Sequence, residues 1–201
     1  MKGYYFITDA RLSRAGNISD VKSALATGVR VVQYRAKSTG TRDMLAEALE
    51  LKQLCQGAIF LVNDRVDVAL AVDADGVHLG QEDLPCDEAR RLLGPEKIIG
   101  ITVASLEEAL SAARQGANYL GVSPIFATHT KLDAGRPTGL TLLRELSRAL
   151  SLPLAAIGGL TLKNTPEAIA AGAQMVCAIS AVVTQDDVRA EIEKFQRLFV
   201  G

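Results

Sequence analysis

One pattern recurs along the chain: a helical stretch, a glycine, and then a short apolar run. Gly28, Gly57, Gly116 and Gly172 each follow a helical stretch and stand just before a run of mostly aliphatic residues. A glycine in this place ends a helix, because it adopts the left-handed conformation without strain. Repeated alternation of helix and strand predicts a parallel sheet covered by helices.

The apolar runs divide the chain into eight strand–helix units. We predict strands at 4–8, 29–34, 59–62, 76–79, 98–101, 119–122, 154–157 and 175–179. Helices are predicted at 21–26, 41–55, 66–72, from 85, from 106 to 116, and at 140–150, 166–171 and 188–198. Ser105 and Glu108 form a predicted capping box at the start of the fifth helix.

Eight units favour a closed barrel over an open sheet, although 201 residues is short for this fold, which usually has ~250. No linker, low-complexity tract or charge block divides the sequence. We therefore predict an α/β fold in which residues 1–201 form a single compact (β/α)8 TIM barrel domain with parallel strands.

Charge, apolar runs and cysteines indicate which kinds of partner the protein binds and in which cellular compartment it works. The formal net charge of -1 argues against a nucleic-acid-binding surface, which needs a basic excess. No apolar run approaches the ~20 residues of a membrane span, and the first residues turn polar too soon for a signal peptide. Cys55, Cys86 and Cys177 are scattered, which is typical of reduced thiols in a cytoplasmic protein. The sequence leaves open whether the chain forms a homo-oligomer.

The most informative loop follows the sixth predicted strand. The chain breaks at Pro124 and then presents Thr128, Thr130 and Lys131. Loops after the strands of a barrel carry its active site, so hydroxyls and a cation here predict an anion-binding site. The alternative is a polar surface loop without a ligand.

Cations and an amide follow the second strand. Gln33, Arg35 and Lys37 alternate with apolar residues and should share a face with Val31. Cations on an inward face are costly unless an anion meets them. The alternative is a pair of side chains that extend to solvent at the strand end.

Two aspartates suggest a metal. Asp64 follows the third strand, after Asn63, and Asp83 lies beyond the fourth. Either could cap the helix that follows it, but carboxylates at adjacent strand ends also predict an oxygen-ligand Mg²⁺ site for a diphosphate. His78 falls within a strand, and we interpret it as a buried supporting residue rather than a base.

A second anion site is predicted after the seventh and eighth strands. Gly158 and Gly159 follow one, and Ile179 and Ser180 follow the other. These loops commonly bind phosphate through backbone amides. No nucleophile with a paired base is evident, so the set fits departure of a stabilised anionic leaving group better than acyl chemistry.

Taken in order, these motifs resemble the thiamine-phosphate synthase family. They are residues 33–37, 62–64, 75–83, 121–131, 156–159 and 179–180, and they span nearly the whole chain. The resemblance implies a (β/α)8 transferase of thiamine biosynthesis. It would join hydroxymethylpyrimidine diphosphate to a thiazole phosphate, or its carboxylated form, releasing diphosphate. In that family the carbon–oxygen bond is thought to break before the thiazole nitrogen attacks.

The resemblance also implies residue roles. The pyrimidine diphosphate would be held by Gln33, Arg35, Lys37, Asn63, Thr102 and Lys131, of which Lys131, Thr102 and Arg35 would be catalytic. Mg²⁺ would be bound by Asp64 and Asp83. The thiazole phosphate would be held by Thr128, Thr130, Gly159, Ile179 and Ser180.

The chain departs from the family pattern at four positions. Thr102 stands where serine is usual and adds a methyl group in the diphosphate pocket. Ala104, Asn118 and Ala127 replace a histidine, an aspartate and a proline, and we expect these three changes to be peripheral.

Three rival functions remain open. A thiazole tautomerase of the same fold has a histidine where this chain has Pro124, and tends to lack the paired aspartates. A phosphosugar isomerase barrel would not need Gln33, Arg35 and Lys37 together with two metal aspartates. A non-catalytic phosphate-binding barrel would have no reason to retain every charged position.

Overall fold

The strands form one closed parallel barrel. In a computed structural model, which describes residues 1–128, 130 and 135–199, eight strands pair in sequence order, and β8 closes onto β1. They are β1 (Gly3–Ile7), β2 (Val31–Tyr34), β3 (Ile59–Asn63), β4 (Gly76–Leu79), β5 (Ile98–Val103), β6 (Tyr119–Val122), β7 (Leu154–Ile157) and β8 (Met175–Cys177). The predicted barrel is confirmed.

Helices separate the strands and cover the outside of the barrel. Within the described residues they are α1 (Asn17–Ala26), α2 (Thr41–Leu54), α3 (Val66–Ala71), α4 (Cys86–Leu93), α5 (Leu106–Arg114), α6 (Gly139–Ala149), α7 (Thr165–Ala170), α8 (Ser180–Val183) and α9 (Val188–Arg197). None of the described helices is long and apolar enough to cross a membrane.

Register decides which side chains enter the barrel. Tyr5 pairs with Val31 and Ile7 with Gln33 across β1 and β2, and alternate residues of a strand point to the same face. The interior cluster is Tyr5, Ile7, Val31, Leu61, Tyr119, Ala155, Met175 and Cys177. The intervening residues, such as Phe6, Val32 and Phe60, pack beneath the helices in a separate, larger core.

The structure departs from the sequence prediction mainly at element ends. Helix α1 begins at Asn17, four residues before the predicted start at Val21, because the buried side chains of its first turn are polar and break the apolar pattern. Helix α8 was not predicted, since four residues are too few to show a helical period. Strand β8 ends at Cys177, two residues early.

The predicted cap of α5 is half correct. Ser105 Oγ accepts a hydrogen bond from the backbone N–H of Glu108 at 3.2 Å, as expected. The Glu108 carboxylate, however, accepts from the N–H of Ala104 rather than from that of Ser105. Glu108 therefore ties the end of the β5 loop to the helix.

Candidate active site

A cavity of about 360 Å³ opens where the strands end. It is lined by every predicted site residue that the structure describes: Gln33, Arg35, Lys37, Asn63, Asp64, Asp83, Thr102, Thr128, Thr130, Gly159, Ile179 and Ser180. Lys131 lies outside the described residues. Seven different strands deliver these side chains to one mouth, as the barrel geometry predicts.

Arg35 is compensated by a carboxylate that the sequence analysis missed. Its Nη1 donates to Asp9 Oδ2 at 2.8 Å, and Asp9 is only 2% exposed. The backbone N–H of Arg35 also donates to Thr8 Oγ1 at 2.9 Å. The anion that meets this cation in the structure is therefore the Asp9 carboxylate. The available signal was the position of Asp9, two residues after the end of β1.

Lys37 is also paired. Its Nζ lies 2.5 Å from Asp64 Oδ2. Asp64 has a positive φ of 61° and donates its backbone N–H to the His78 carbonyl at 2.9 Å. It does not cap α3, whose N-cap is Arg65 without a side-chain bond. The chain thus holds Asp64 in an uncommon conformation that turns its carboxylate toward the mouth.

Asp83 lies beside Asp64. Its Oδ2 accepts from the Gly80 N–H at 2.6 Å, and α4 begins after Pro85 without a side-chain cap. Burial raises the pKa of the Asp83 carboxyl, and the neighbouring Asp64 carboxyl raises it further. Two carboxylates this close repel each other unless a proton or a cation lies between them.

The Asp64 and Asp83 carboxylates suit Mg²⁺ better than a metal ion that needs three or more protein side chains. Among the described residues, no group of three or more His, Cys, Asp or Glu side chains could hold a metal. Mg²⁺ commonly uses one or two carboxylates and completes its shell with water and substrate phosphate oxygens. The Asp64–Asp83 pair has that composition and faces the cavity.

Gln33 lies deep in the barrel at the head of a polar chain. It is 1% exposed, and its Nε2 donates to Tyr5 Oη at 2.6 Å. The chain continues through Tyr119 to His78, which is buried as predicted and contacts Thr102. Sequence analysis missed both tyrosines because apolar runs hide them.

The glycine pair after β7 forms the opposite wall. Gly158 and Gly159 have φ values of 94° and 63°, where glycine is strongly favoured. A Cβ on Gly159 would lie 2.5 Å from the Ala127 carbonyl oxygen. The bare backbone therefore packs directly against the loop that carries Thr128, and α8 begins at Ser180 across the same wall.

One expected peripheral change is not peripheral. Ala104 lines the cavity, as does Glu108, which sequence analysis did not select. Asn118 is remote from the cavity, as expected. Its Oδ1 accepts a hydrogen bond from the Ile99 N–H at 2.8 Å and another from the Arg90 side chain of α4, near the starts of β5 and β6. Ala127 contributes the carbonyl that faces Gly159.

Comparison with known proteins identifies the family. A family model described as thiamine monophosphate synthase matches residues 4–182. The chain belongs to this family. The matched segment runs from the second residue of β1 into α8 and contains every residue that lines the cavity.

Similar proteins share almost the whole chain. A thiamine-phosphate synthase of Methanosarcina barkeri is 52% identical over 193 residues, covering 96% of this chain and 88% of that protein. One of Chloroflexus aurantiacus is 50% identical over 197 residues, covering 96% and 91%. The solved structure of a thiamine phosphate pyrophosphorylase from Pyrococcus furiosus superposes with a TM-score of 0.91 at 42% identity, covering 98% of this chain and 95% of that one.

Proposed function

We propose that the protein is a thiamine-phosphate synthase. It joins hydroxymethylpyrimidine diphosphate to a thiazole phosphate and releases thiamine phosphate and diphosphate. The observation that carries this proposal is the convergence of the predicted residues on one cavity in a chain about half identical to enzymes of that name. The whole of residues 1–201 would act as one barrel domain, in the cytoplasm, where its three free cysteines stay reduced.

One side of the cavity suits the diphosphate. Arg35, Lys37, Asn63 and Thr102 line it with donors, and Arg35 is already oriented by Asp9. A guanidinium held in this way binds phosphate oxygens with little further ordering. Gln33 lies at the base of this side, where it would contact the pyrimidine.

Asp64 and Asp83, which both line the cavity, would hold Mg²⁺. The bound ion would neutralise charge on the departing diphosphate as a Lewis acid. Lys37, which now pairs with Asp64, would be free to contact the diphosphate once a metal takes that carboxylate. The pairing thus keeps the ammonium close to where the substrate binds.

The opposite wall suits the thiazole phosphate. Thr128 and Thr130 offer hydroxyls, and Gly159, Ile179 and Ser180 bring backbone close to the cavity. Backbone N–H groups at a glycine turn and beside a short helix after β8 are a common phosphate site in barrels. Separate binding of two anions on facing walls would place the thiazole nitrogen toward the pyrimidine methylene carbon.

Bond breaking would lead the reaction. The side chains gathered on the diphosphate side are cations, amides and hydroxyls, which suit an anionic leaving group. Donors aimed at a leaving group accelerate its departure, because their interaction strengthens as charge develops. Thr102, which lines the cavity, would take this role, and so would Lys131, which follows the cavity residue Thr130 in the sequence.

One assay tests the function. The purified protein is incubated with both substrates and Mg²⁺, and thiamine phosphate and diphosphate are measured by mass spectrometry. Equal amounts of both products are expected. Isomerisation of the thiazole phosphate in the absence of the pyrimidine would instead indicate a tautomerase, and binding without turnover would indicate a phosphate-binding barrel.

A further inference from the structure

A continuous row of hydrogen bonds crosses the inside of the barrel below the cavity. Gln33 Nε2 lies 2.6 Å from Tyr5 Oη, which lies 2.7 Å from Tyr119 Oη. Tyr119 Oη is 2.7 Å from His78 Nδ1, and His78 Nε2 is 2.8 Å from Thr102 Oγ1. The row therefore joins two cavity residues, Gln33 and Thr102, through three residues from three other strands.

The barrel interior is shaped around these rings. A Cβ on Gly100 would lie 2.0 Å from Tyr119 Cζ, and a Cβ on Gly121 would lie 2.9 Å from His78 Cε1. Only glycine leaves room for the rings at these two positions. Both tyrosines are fully buried, in a setting where an unmade hydrogen bond is costly and a made one is strong.

Each hydroxyl in the row carries one proton, so the donor at one contact decides the donor at the next. Burial raises the pKa of Tyr5 and of Tyr119 far above the usual value, so both phenols stay protonated. If Tyr5 accepts a hydrogen bond from the Gln33 Nε2–H, its own hydroxyl proton is left to donate to Tyr119. Tyr119 then donates to His78 Nδ1, which must be unprotonated to accept.

The same direction of hydrogen bonding continues through His78 to the cavity. A neutral imidazole with an accepting Nδ1 carries its proton on Nε2. His78 then donates to Thr102 Oγ1, so the Thr102 hydroxyl directs its own proton away from His78. Since Thr102 lines the cavity, that proton is available to an anion bound there.

We propose that Gln33, Tyr5, Tyr119 and His78 form a polarised relay, in which the amide at one end sets the tautomer of His78 and makes the Thr102 hydroxyl a donor to the substrate. Tyr5, Tyr119 and His78 are positioning residues. The role of the donated proton in catalysis rests on the proposed function, whereas the relay itself does not.

The relay has two possible directions, and a single substitution distinguishes them. Gln33→Glu replaces the amide N–H with an acceptor of nearly the same shape. Tyr5 would then donate to the introduced carboxylate, Tyr119 to Tyr5, and His78 Nδ1–H to Tyr119. His78 would change to the other tautomer and would accept from Thr102 instead of donating to it.

The experiment is ¹⁵N NMR of histidine-labelled, ligand-free protein. The chain has 2 histidines, so the His129→Ala variant assigns both signals. We expect the Nε2–H tautomer of His78 in the unsubstituted protein and the Nδ1–H tautomer in Gln33→Glu. The variant is measured at a pH where the ¹³C shift of the introduced carboxyl group shows that it is ionised.

The control cuts the relay by removing the Tyr5 hydroxyl from the Gln33→Glu variant. In the double variant Tyr5→Phe, Gln33→Glu, the Tyr119 proton has His78 as its acceptor, so the Nε2–H tautomer should return. An Nδ1–H tautomer in the unsubstituted protein overturns the proposal, as does a tautomer that is the same with the ionised carboxylate as with the amide. A change that persists in the double variant also overturns it.

Catalysis gives an independent readout. Tyr119→Phe leaves the ring in place but removes the link, and Tyr119 does not line the cavity. Turnover should fall about tenfold or more, with the Michaelis constants of both substrates nearly unchanged. Equal loss in kcat and binding would contradict the relay's role in the reaction. Absence of any thiamine phosphate in the unsubstituted protein would refute the proposed function and leave the NMR result standing.

Discussion

Lys37 Nζ lies 2.5 Å from Asp64 Oδ2, so a cation proposed for the diphosphate occupies a carboxylate proposed for Mg²⁺. The side chain of Lys37 is 40% exposed, and an ion pair this open to water is weak and easily exchanged. If Asp64 holds Mg²⁺ when the diphosphate binds, the Lys37 ammonium would therefore be released to contact the substrate. Metal and substrate should bind together rather than singly.

The first prediction tests the metal. Asp83→Asn keeps the size of the side chain but removes the charge that would bind Mg²⁺. We expect turnover to fall by about 10²-fold or more, equivalent to several kcal/mol of transition-state stabilisation. Steady-state kinetics over a Mg²⁺ series checks this, with EDTA-treated protein alongside. Asp73→Asn, an exposed carboxylate paired with Lys97, is the control and should change neither turnover nor the Mg²⁺ dependence. Activity that survives both EDTA and Asp83→Asn would rule out the metal assignment.

The second prediction concerns the thiazole phosphate wall. A side chain at Gly159 would meet the Ala127 carbonyl and the Phe126 Cβ at 2.5 and 2.8 Å. Gly159→Val should therefore raise the Michaelis constant for the thiazole phosphate by about tenfold or more, with little effect on that for the pyrimidine diphosphate. Gly57→Val is matched for positive φ but has open space around it, so it controls for backbone strain. Equal damage to both substrates would show that the two binding sites are not separate.

The third prediction concerns stability and its dependence on pH. In α1, Asp20 is 1% exposed, and neither carboxylate oxygen has a partner within hydrogen-bonding distance among the described residues. Burial raises the pKa of Asp20, by more than the nearby Ser13 side chain lowers it. Stability linked to this group is therefore fully present below the unfolded pKa of about 3.9 and is lost as pH rises through the higher folded value.

Asp20→Asn removes the group that titrates, so the variant should not lose this stability as pH rises. At pH 8 the variant should be more stable than the unsubstituted protein, because its side chain carries no charge for burial to penalise, and each kcal/mol gained raises Tm by about 2–4 °C. Thermal unfolding from pH 4 to pH 8 measures it, with exposed Asp43→Asn as the control. The gain should shrink toward low pH. A gain that is constant with pH would show that the pKa of Asp20 is the same in the folded and the unfolded protein.

The sequence predicts the strands better than the contacts inside the barrel. Apolar runs bounded by polar residues mark each strand, and polar residues at the strand ends mark the cavity. Pairings across the barrel depend on register, which no local pattern specifies. Tyr5 and Tyr119 stand 114 positions apart, and only the closed barrel with space at Gly100 brings their hydroxyls together. The Asp9–Arg35 pair was missed for the same reason, because it joins the ends of two strands.

The last prediction concerns the leaving group. If the carbon–oxygen bond breaks before the thiazole attacks, the enzyme must neutralise charge that grows on the diphosphate. Lys131 is the cation that the sequence places just beyond Thr130, and Thr130 lines the cavity. An interaction that strengthens with developing charge lowers the barrier more than it tightens substrate binding.

Lys131→Met should therefore lower turnover by about 10²-fold or more, while the Michaelis constant for the pyrimidine diphosphate changes much less. Lys131→Arg, which keeps the charge, should recover part of the loss. Electron-withdrawing substituents on the pyrimidine should slow the unsubstituted enzyme, because they destabilise a pyrimidine-methyl cation. Turnover is measured for each pyrimidine substituent in the unsubstituted enzyme, Lys131→Met and Lys131→Arg, and this shows whether bond breaking precedes attack and whether Lys131 assists it. If withdrawing groups speed the reaction, attack accompanies or precedes bond breaking, and if Lys131→Met changes only the Michaelis constant, the lysine binds the ground state and does not stabilise the departing diphosphate.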